Sequence, residues 1–398
     1  MMIDAILLSL VLATPDDDRW PPRHDMPEAE AHAMLSESGD TFDSKAQWND
    51  RAETLRRHIA RTLQLDPMPW TGPVNVLRHS RTEMDGYAVE NLQVETMPGF
   101  FVGANLYLPL NHPGPHPIIL CPHGHKRADD AGAEGRFQPN YQKLCGTIAR
   151  SGGVALTWDM VGWGETSWVT HARPESTSLQ TFNTIRMIDL AQSLPDIDPQ
   201  RIGITGSSGG GTQTFLATAL DSRITAAAPT VMVSAHFFGG CPCESGFPIH
   251  DGTRGPAADP DGLKTCNVEI AGLAAPRPLL LISVGGDWTR NTPKIEYPYL
   301  QRIYTLLGHE PNVANAHFAD EQHNYGPSKR AASIRFLARH LELDLAAVTN
   351  LDGSIDDEPV TIRPRSELTG FTNQHPLPSG ALQGDDITWQ AFLALPRN

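Results

Sequence analysis

The stretch RIGITGSSGGGTQTF (201–215) sets two adjacent serines inside a run of glycines, between an apolar segment and a helix-like one. Glycine-rich turns of this kind serve two unrelated chemistries: they cradle phosphate with backbone N–H groups, or they project a serine nucleophile. A phosphate loop requires G-x-x-x-x-G-K-[ST]. Gly206 and Gly211 have the spacing, but Thr212 stands where the lysine belongs. A dinucleotide turn requires G-x-G-x-x-G, and Ile204 occupies its first glycine. The remaining pattern is G-x-S-x-G, which is met once, by Gly206-Ser207-Ser208-Gly209-Gly210. Centring it on Ser207 would need a glycine at Thr205. The stretch therefore predicts a sharp strand-to-helix turn that presents Ser208.

That reading makes a demand on the rest of the chain. An acid and a histidine should follow, in that order, each just past a later strand. RPLLLISVGGDW (277–288) delivers Asp287, and NAHFADEQHNYG (315–326) delivers His323. Ser208 would supply Oγ, His323 would take and return its proton, and Asp287 would hold the imidazole tautomer. His317 lies mid-strand and reads as a packing residue. Glu244, in an insertion, is the alternative acid. The oxyanion donors expected are the N–H of Gly209 and that of His125, in the loop CPHGHKR (121–127).

Outward from these residues the chain alternates short apolar strands with helices from about residue 117 to residue 345. That rhythm predicts a mostly parallel sheet covered on both faces. An amphipathic helix (46–65) precedes it. Three strands then follow, separated by Asp85-Gly86 and Pro98-Gly99, and read as an antiparallel meander. Residues 1–40 read as a loose lead-in, 41–345 as the catalytic domain and 346–398 as a tail without clear period. Residues 236–265 interrupt the alternation and read as a lid-like insertion.

The 398 residues are 40% hydrophobic and 19% charged, as suits a globular core, and the net charge of −15 argues against nucleic-acid or anionic-membrane partners. The apolar run Ala5–Ala13 is too short to span a bilayer. It resembles a signal-peptide core, yet Asp4 precedes it in place of a basic residue. Cytoplasmic and exported locations both stay open. The cysteines are Cys121, Cys145, Cys241, Cys243 and Cys266, a set too sparse for a disulfide scaffold but sufficient for one bridge. His236, Cys241, Cys243, Glu244 and His250 gather in the insertion. Zinc sites favour C-x₂₋₄-C pairs, whereas Cys241-Pro242-Cys243 is C-x-C. The expectation is accordingly no metal, no cofactor, and a lid. Trp163, Trp168 and Trp288 fall in loops near the predicted site, with Trp163 and Trp288 as candidates to stack on a sugar ring.

With Ser208, Asp287 and His323 in place, the chain resembles the α/β-hydrolase superfamily. Within it, the chain looks like the bacterial acetyl xylan esterase and dienelactone hydrolase-like group. PHGH (122–125), GITGSSGGGTQT (203–214), GGCPCESG (239–246), GGDWTRNTP (285–293) and ADEQHNYGPSKR (319–330) carry the likeness, over about residues 45–345. The resemblance implies an α/β-hydrolase fold. It also implies serine-dependent hydrolysis of a small-molecule or carbohydrate carboxylic ester, with deacetylation the leading case. Dienelactone hydrolases proper use cysteine where this chain has Ser208. Glucuronoyl esterases carry an arginine after the serine, where this chain has Gly209. A prolyl-oligopeptidase-like peptidase is the second enzymatic reading, although the chain has no propeller-sized N-terminal region. A non-catalytic hydrolase-like binding protein is the third, although such proteins lose a member of the triad that is complete here.

Overall fold

The computed structural model describes residues 24–125, 133–255, 258–259 and 262–397. The apolar run at the N-terminus lies outside them. Nine strands form one sheet: β1 (Asn75–Glu83), β2 (Tyr87–Met97), β3 (Phe100–Pro109), β4 (His116–Leu120), β5 (Val154–Trp158), β6 (Ile197–Ser207), β7 (Ala226–Thr230), β8 (Leu279–Val284) and β9 (Val313–Phe318). Their order is β1-β2-β3-β5-β4-β6-β7-β8-β9. The first three strands are the expected meander, and Gly86 and Gly99 turn its corners with φ of 80°. It is not a separate layer. β3 pairs antiparallel with β5 from Ala104↔Trp158 to Tyr107↔Ala155, so the meander extends the main sheet. From β5 to β9 all pairing is parallel.

The chain leaves β4 toward β5 on one side and later returns to β6 on the other. This reversal opens a crevice at the carboxyl ends of β4 and β6, the place where parallel sheets bind ligands. The loop holding His125 and the turn holding Ser208 both begin there.

The eleven α-helices of the described residues are α1 (Glu28–Gly39), α2 (Lys45–Thr62), α3 (Pro139–Arg150), α4 (Glu175–Ser193), α5 (Gly209–Leu220), α6 (Pro242–Ser245), α7 (Asn267–Gly272), α8 (Glu296–Leu307), α9 (Pro327–Leu341), α10 (Arg365–Leu368) and α11 (Asp385–Leu393). The alternation of each strand sends neighbouring residues to opposite faces. Ile118 and Leu120 join the core under α2, α4, α5, α7 and α8; Ile119 and Cys121 join the core under α3 and α9. Both faces of β5, β7 and β8 are dry, which is why β5 and β8 read as mainly apolar runs without alternation.

Two regions are more ordered than their sequence suggests. The lead-in holds α1, whose Ala31 and Leu35 are buried. The C-terminal stretch lays Val360 and Leu368 against the α3–α9 core and Trp389 and Phe392 against the other. Phe392 meets Phe182 edge-on at 5.3 Å. A wholly buried Arg136 secures this stretch: it donates to Asp159 (2.9 Å), to Glu165 and to the Leu368 carbonyl (2.8 Å). Glu165 in turn accepts from the N–H groups of Gly370 (2.7 Å) and Phe371 (2.9 Å). These contacts join residues far apart in the chain and follow no local period, so the periodic pattern does not foretell them.

One buried acid gives a stability prediction. Glu296 is 0% exposed, its Oε1 accepts from Ala235 N at 3.3 Å, and its Oε2 has no partner. Burial pushes its carboxyl up to about 7. The protonated form is the one the fold tolerates, so its stabilisation is complete below the ordinary value of 4.5 and is lost as pH rises through 7. Glu296→Gln is expected to leave stability at pH 5 nearly unchanged and to raise it at pH 8 by about 1–3 kcal/mol. Urea midpoints at the two pH values test this, and equal midpoints at pH 8 would refute it.

Candidate active site

Ser208 lies between the last residue of β6 and the first of α5, with φ 55° and ψ −124°. A non-glycine residue in this region is strained, and the surrounding structure must over-determine it. Ser208 N donates to the Thr230 carbonyl at 3.0 Å, and Thr212 N donates to the Ser208 carbonyl at 3.0 Å. The flanking glycines have a common cause. A β-carbon at Gly206 would sit 2.2 Å from the Pro122 carbonyl oxygen, and one at Gly210 would sit 2.1 Å from the same atom. The loop after β4 thus wedges one carbonyl into the elbow, and only glycine at both positions admits it.

Gly124 serves the same close approach, since its β-carbon would meet the Ser207 carbonyl oxygen at 2.4 Å. Tyr141 of α3 locks the two segments together. Its Oη accepts from Gly124 N (3.0 Å) and Ser207 N (3.1 Å) and lies 3.2 Å from Ser207 Oγ. With both lone pairs engaged, the phenolic hydrogen goes to Ser207 Oγ. Burial pushes this phenol up to about 12, so it stays a donor throughout the working pH range. Ser207 is therefore more than a small filler. Tyr141→Phe leaves two buried N–H groups unpaired, each worth about 1–3 kcal/mol. It is expected to cost about tenfold or more in kcat while the protein stays folded by circular dichroism. An unchanged kcat would show that the clamp does not position the elbow. Nothing in the local sequence marks Tyr141, because its partners come from two other elements.

Asp287 and His323 meet after β8 and β9. His323 Nδ1 is 2.8 Å from Asp287 Oδ2, and the Asp287 side chain is 2% exposed. Asp287 Oδ1 accepts from Thr289 N (2.7 Å) and Thr289 Oγ1 (2.6 Å), which fixes the carboxylate. A Nδ1–H donated to Asp287 leaves the Nε2 lone pair of His323 free. The His323 ring also lies against Trp288, with centroids 4.5 Å apart, and Trp288 stacks on Phe237 at 3.9 Å. His317 bonds Ser283 Oγ at 2.9 Å within the sheet, a packing position.

Glu244 is engaged elsewhere. It accepts from Gly240 N (2.5 Å) and Thr212 Oγ1 (3.2 Å), and its Oε1 lies 3.9 Å from His125 Nδ1. Burial raises its carboxyl above the ordinary range. The His125 ring covers Gly209 so closely that a β-carbon there would meet it at 2.4 Å. Burial, with the nearby His323 adding to it, pushes the His125 imidazole down to about 4. His125 and Glu244 thus lie together beside the elbow, with the charge of His323 bearing on both.

The insertion places its donors differently from expectation. His236 turns to Ser234 Oγ (3.0 Å), and His250 turns to Asn267 (2.7 Å) and stacks on Phe238. Cys241 and Cys243 form a disulfide, the one bridge the cysteine count left open. They face His125 and also His171, a residue the sequence reading passed over. Of the tryptophans, Trp163 donates from Nε1 to His171 Nδ1 (2.9 Å), and Trp168 packs edge-on against Phe371.

A family model described as acetyl xylan esterase (AXE1) matches residues 180–238, which run from α4 through the elbow to the start of the insertion. Among solved structures, one titled Methylesterase BT1017 is 35% identical, with a TM-score of 0.79, over 93% of this chain and 81% of that one. The chain belongs to the α/β-hydrolase esterases. A glucuronoyl esterase from Solibacter usitatus shares the fold at 15% identity, with a TM-score of 0.52 over 75% of this chain and 94% of that one. A glucuronoyl esterase from Teredinibacter turnerae does so at 15% identity and 0.53, over 75% and 86%. A search of curated proteins found no match. The α/β-hydrolase fold and the carboxylic-ester hydrolase activity expected from the sequence are thereby shown. No helix among the described residues is long and apolar enough to cross a membrane.

Proposed function

We propose that this esterase hydrolyses a carboxylic ester on a carbohydrate by way of a covalent acyl-Ser208. The observation that supports the reading is the His323–Asp287 pair, which commits Nδ1 and leaves Nε2 to act as base, together with the strained backbone that presents Ser208. Ser208 Oγ attacks the ester carbonyl as His323 Nε2 takes its proton. The tetrahedral oxyanion is received by the N–H groups of Gly209 and His125. His323 then returns the proton to the departing alcohol. Water attacks the acyl-enzyme by the same route in reverse, and Asp287 stabilises the imidazolium throughout. No metal or cofactor is required by these steps. Trp288 and Trp163 flank the crevice as stacking surfaces for a sugar ring.

Among esters, we place a methyl ester first. The relative named a methylesterase is alike over nearly the whole chain, whereas the acetyl xylan esterase model matches 59 residues around the elbow. Deacetylation, the leading case from the sequence, becomes the second reading. An uronate ester with a bulky alcohol fits least. The arginine of glucuronoyl esterases has no room at Gly209, because the His125 ring fills that space. Methanol and acetate release from methyl-esterified and acetylated polysaccharides separates these readings. Methanol alone supports the first and acetate alone the second. Neither, together with no fluorophosphonate adduct on Ser208, would overturn both and favour a non-catalytic binding protein. Cleavage of peptide amides in preference to esters would favour the peptidase reading.

A further inference from the structure

Four metal-binding side chains from three separate loops converge above the elbow. His125 follows β4, His171 lies between β5 and α4, and Cys241 and Cys243 open the insertion around α6. Their donor atoms all lie within 4.8 Å of one another. Cys243 Sγ is 3.1 Å from the Nε2 atoms of both His125 and His171. Cys241 Sγ is 3.3 Å from His171 Nε2 and 3.7 Å from His125 Nε2. Four donors around a tetrahedral zinc, with Zn–N near 2.0–2.1 Å and Zn–S near 2.3 Å, stand roughly 3.3–3.8 Å apart. The sulfur–nitrogen distances already fall close to that range.

The outer contacts suit the same arrangement. A histidine that binds metal through Nε2 holds its Nδ1–H toward a carbonyl or carboxylate. His171 Nδ1 lies 3.0 Å from the Val161 carbonyl, and His125 Nδ1 faces the buried Glu244 Oε1 at 3.9 Å. Trp163 Nε1 competes for His171 Nδ1 at 2.9 Å. Metal at Nε2 selects the Val161 contact, because Nδ1 must then carry the hydrogen. The C-x-C spacing does not prevent chelation. Cys241 is the extended N-cap of α6 and Cys243 lies in its first turn, and both sulfurs reach the same two imidazoles.

We infer that, with Cys241 and Cys243 reduced, His125, His171 and the two cysteines form a closed four-coordinate site for a zinc-type divalent cation. Two thiolates and two imidazoles are the donor set such an ion prefers over calcium or magnesium. The disulfide is the oxidised alternative. A phosphine reductant and water convert it to two thiols, the phosphine leaving as its oxide with the two-electron oxidation. Binding of the cation then releases one proton from each thiol. With four protein ligands the site keeps no open position, so its role is to hold the insertion and the 159–174 loop down on the elbow. It takes no part in ester cleavage.

Cobalt(II) titration of the phosphine-reduced, desalted full-length protein under anaerobic conditions tests this. The expected result is one equivalent bound, with the ligand-field bands of a tetrahedral ion and a thiolate-to-cobalt charge-transfer band, all displaced by zinc. Cys243→Ser and, separately, His171→Gln are expected to weaken cobalt binding by more than about 100-fold, beyond the loss typical of outer-shell partners. Cys121, Cys145 and Cys266 are buried, are not part of the cluster and serve as internal controls. An absent or octahedral spectrum would overturn the inference, as would tetrahedral bands that survive in His171→Gln. The readout is absorbance, so it is independent of whether the triad or the ester is correctly assigned.

Discussion

Ser208→Ala is expected to lower kcat/KM on an activated ester by roughly 10⁴–10⁶-fold, or about 5–8 kcal/mol of transition-state stabilisation. Without Oγ no acyl-enzyme forms, and the oxyanion donors alone retain only a residual acceleration over water. The fold should be unaffected. Alanine meets the same φ of 55° as serine, and the hydrogen bonds that pin the elbow at residue 208 use its backbone N–H and carbonyl. The measurements are p-nitrophenyl acetate hydrolysis alongside a thermal melt. A variant with the wild-type melt and more than about one hundredth of the activity would show that the nucleophile lies elsewhere. Ser207→Ala is the informative comparison. It removes the acceptor of the Tyr141 hydrogen bond and should cost far less, because Ser207 Oγ is committed to the phenol.

Asp287→Asn should be nearly as damaging, at about 10³–10⁴-fold in kcat, with KM little changed. The direction follows from Thr289. Its N–H and Oγ–H both point at Asp287 Oδ1, so an asparagine will keep its oxygen there and turn its NH₂ toward His323 Nδ1. His323 must then accept at Nδ1 and carry its hydrogen on Nε2. In that tautomer Nε2 cannot take the serine proton. Glu244→Gln provides the contrast. Glu244 is bonded to Gly240 N and Thr212, and Asp287 holds the Nδ1 of His323. Its replacement should change kcat by less than about tenfold. If Glu244→Gln were the more damaging of the two, the acid would have been assigned to the wrong loop.

The parts of this site that were legible in the sequence are those whose cause is local. Gly206 and Gly210 stand two residues either side of Ser208 because the tight turn there, filled by the Pro122 carbonyl, tolerates no β-carbon. Asp287 and His323 each fall a few residues past an apolar run that ends at the same edge of the sheet. The parallel sheet was readable because strands dry on both faces leave unbroken apolar stretches. Tyr141, Arg136 and His171 were not readable. Each acts on backbone or side chains brought from distant elements, and a lone tyrosine, arginine or histidine in a helix or loop carries no periodic signal. The C-x-C pair pointed away from a metal site on spacing alone. Only when the loops after β4 and β5 are folded against the insertion do two imidazoles face both sulfurs.

The sequence by itself determined the strained glycine-flanked turn at Ser208, the order in which the candidate partners follow it and the doubly covered sheet, because steric exclusion at a turn and burial along a strand act within a few residues. The tertiary structure alone decided that the meander continues that sheet, that the C-terminal stretch packs into both cores, and that Asp287 rather than Glu244 pairs with His323. It alone decided, too, that His125 seals Gly209 and joins the cysteine pair. These outcomes depend on where separate loops meet at the carboxyl ends of β4 and β6, which the crossing of the chain around β4 sets and no short stretch of residues encodes.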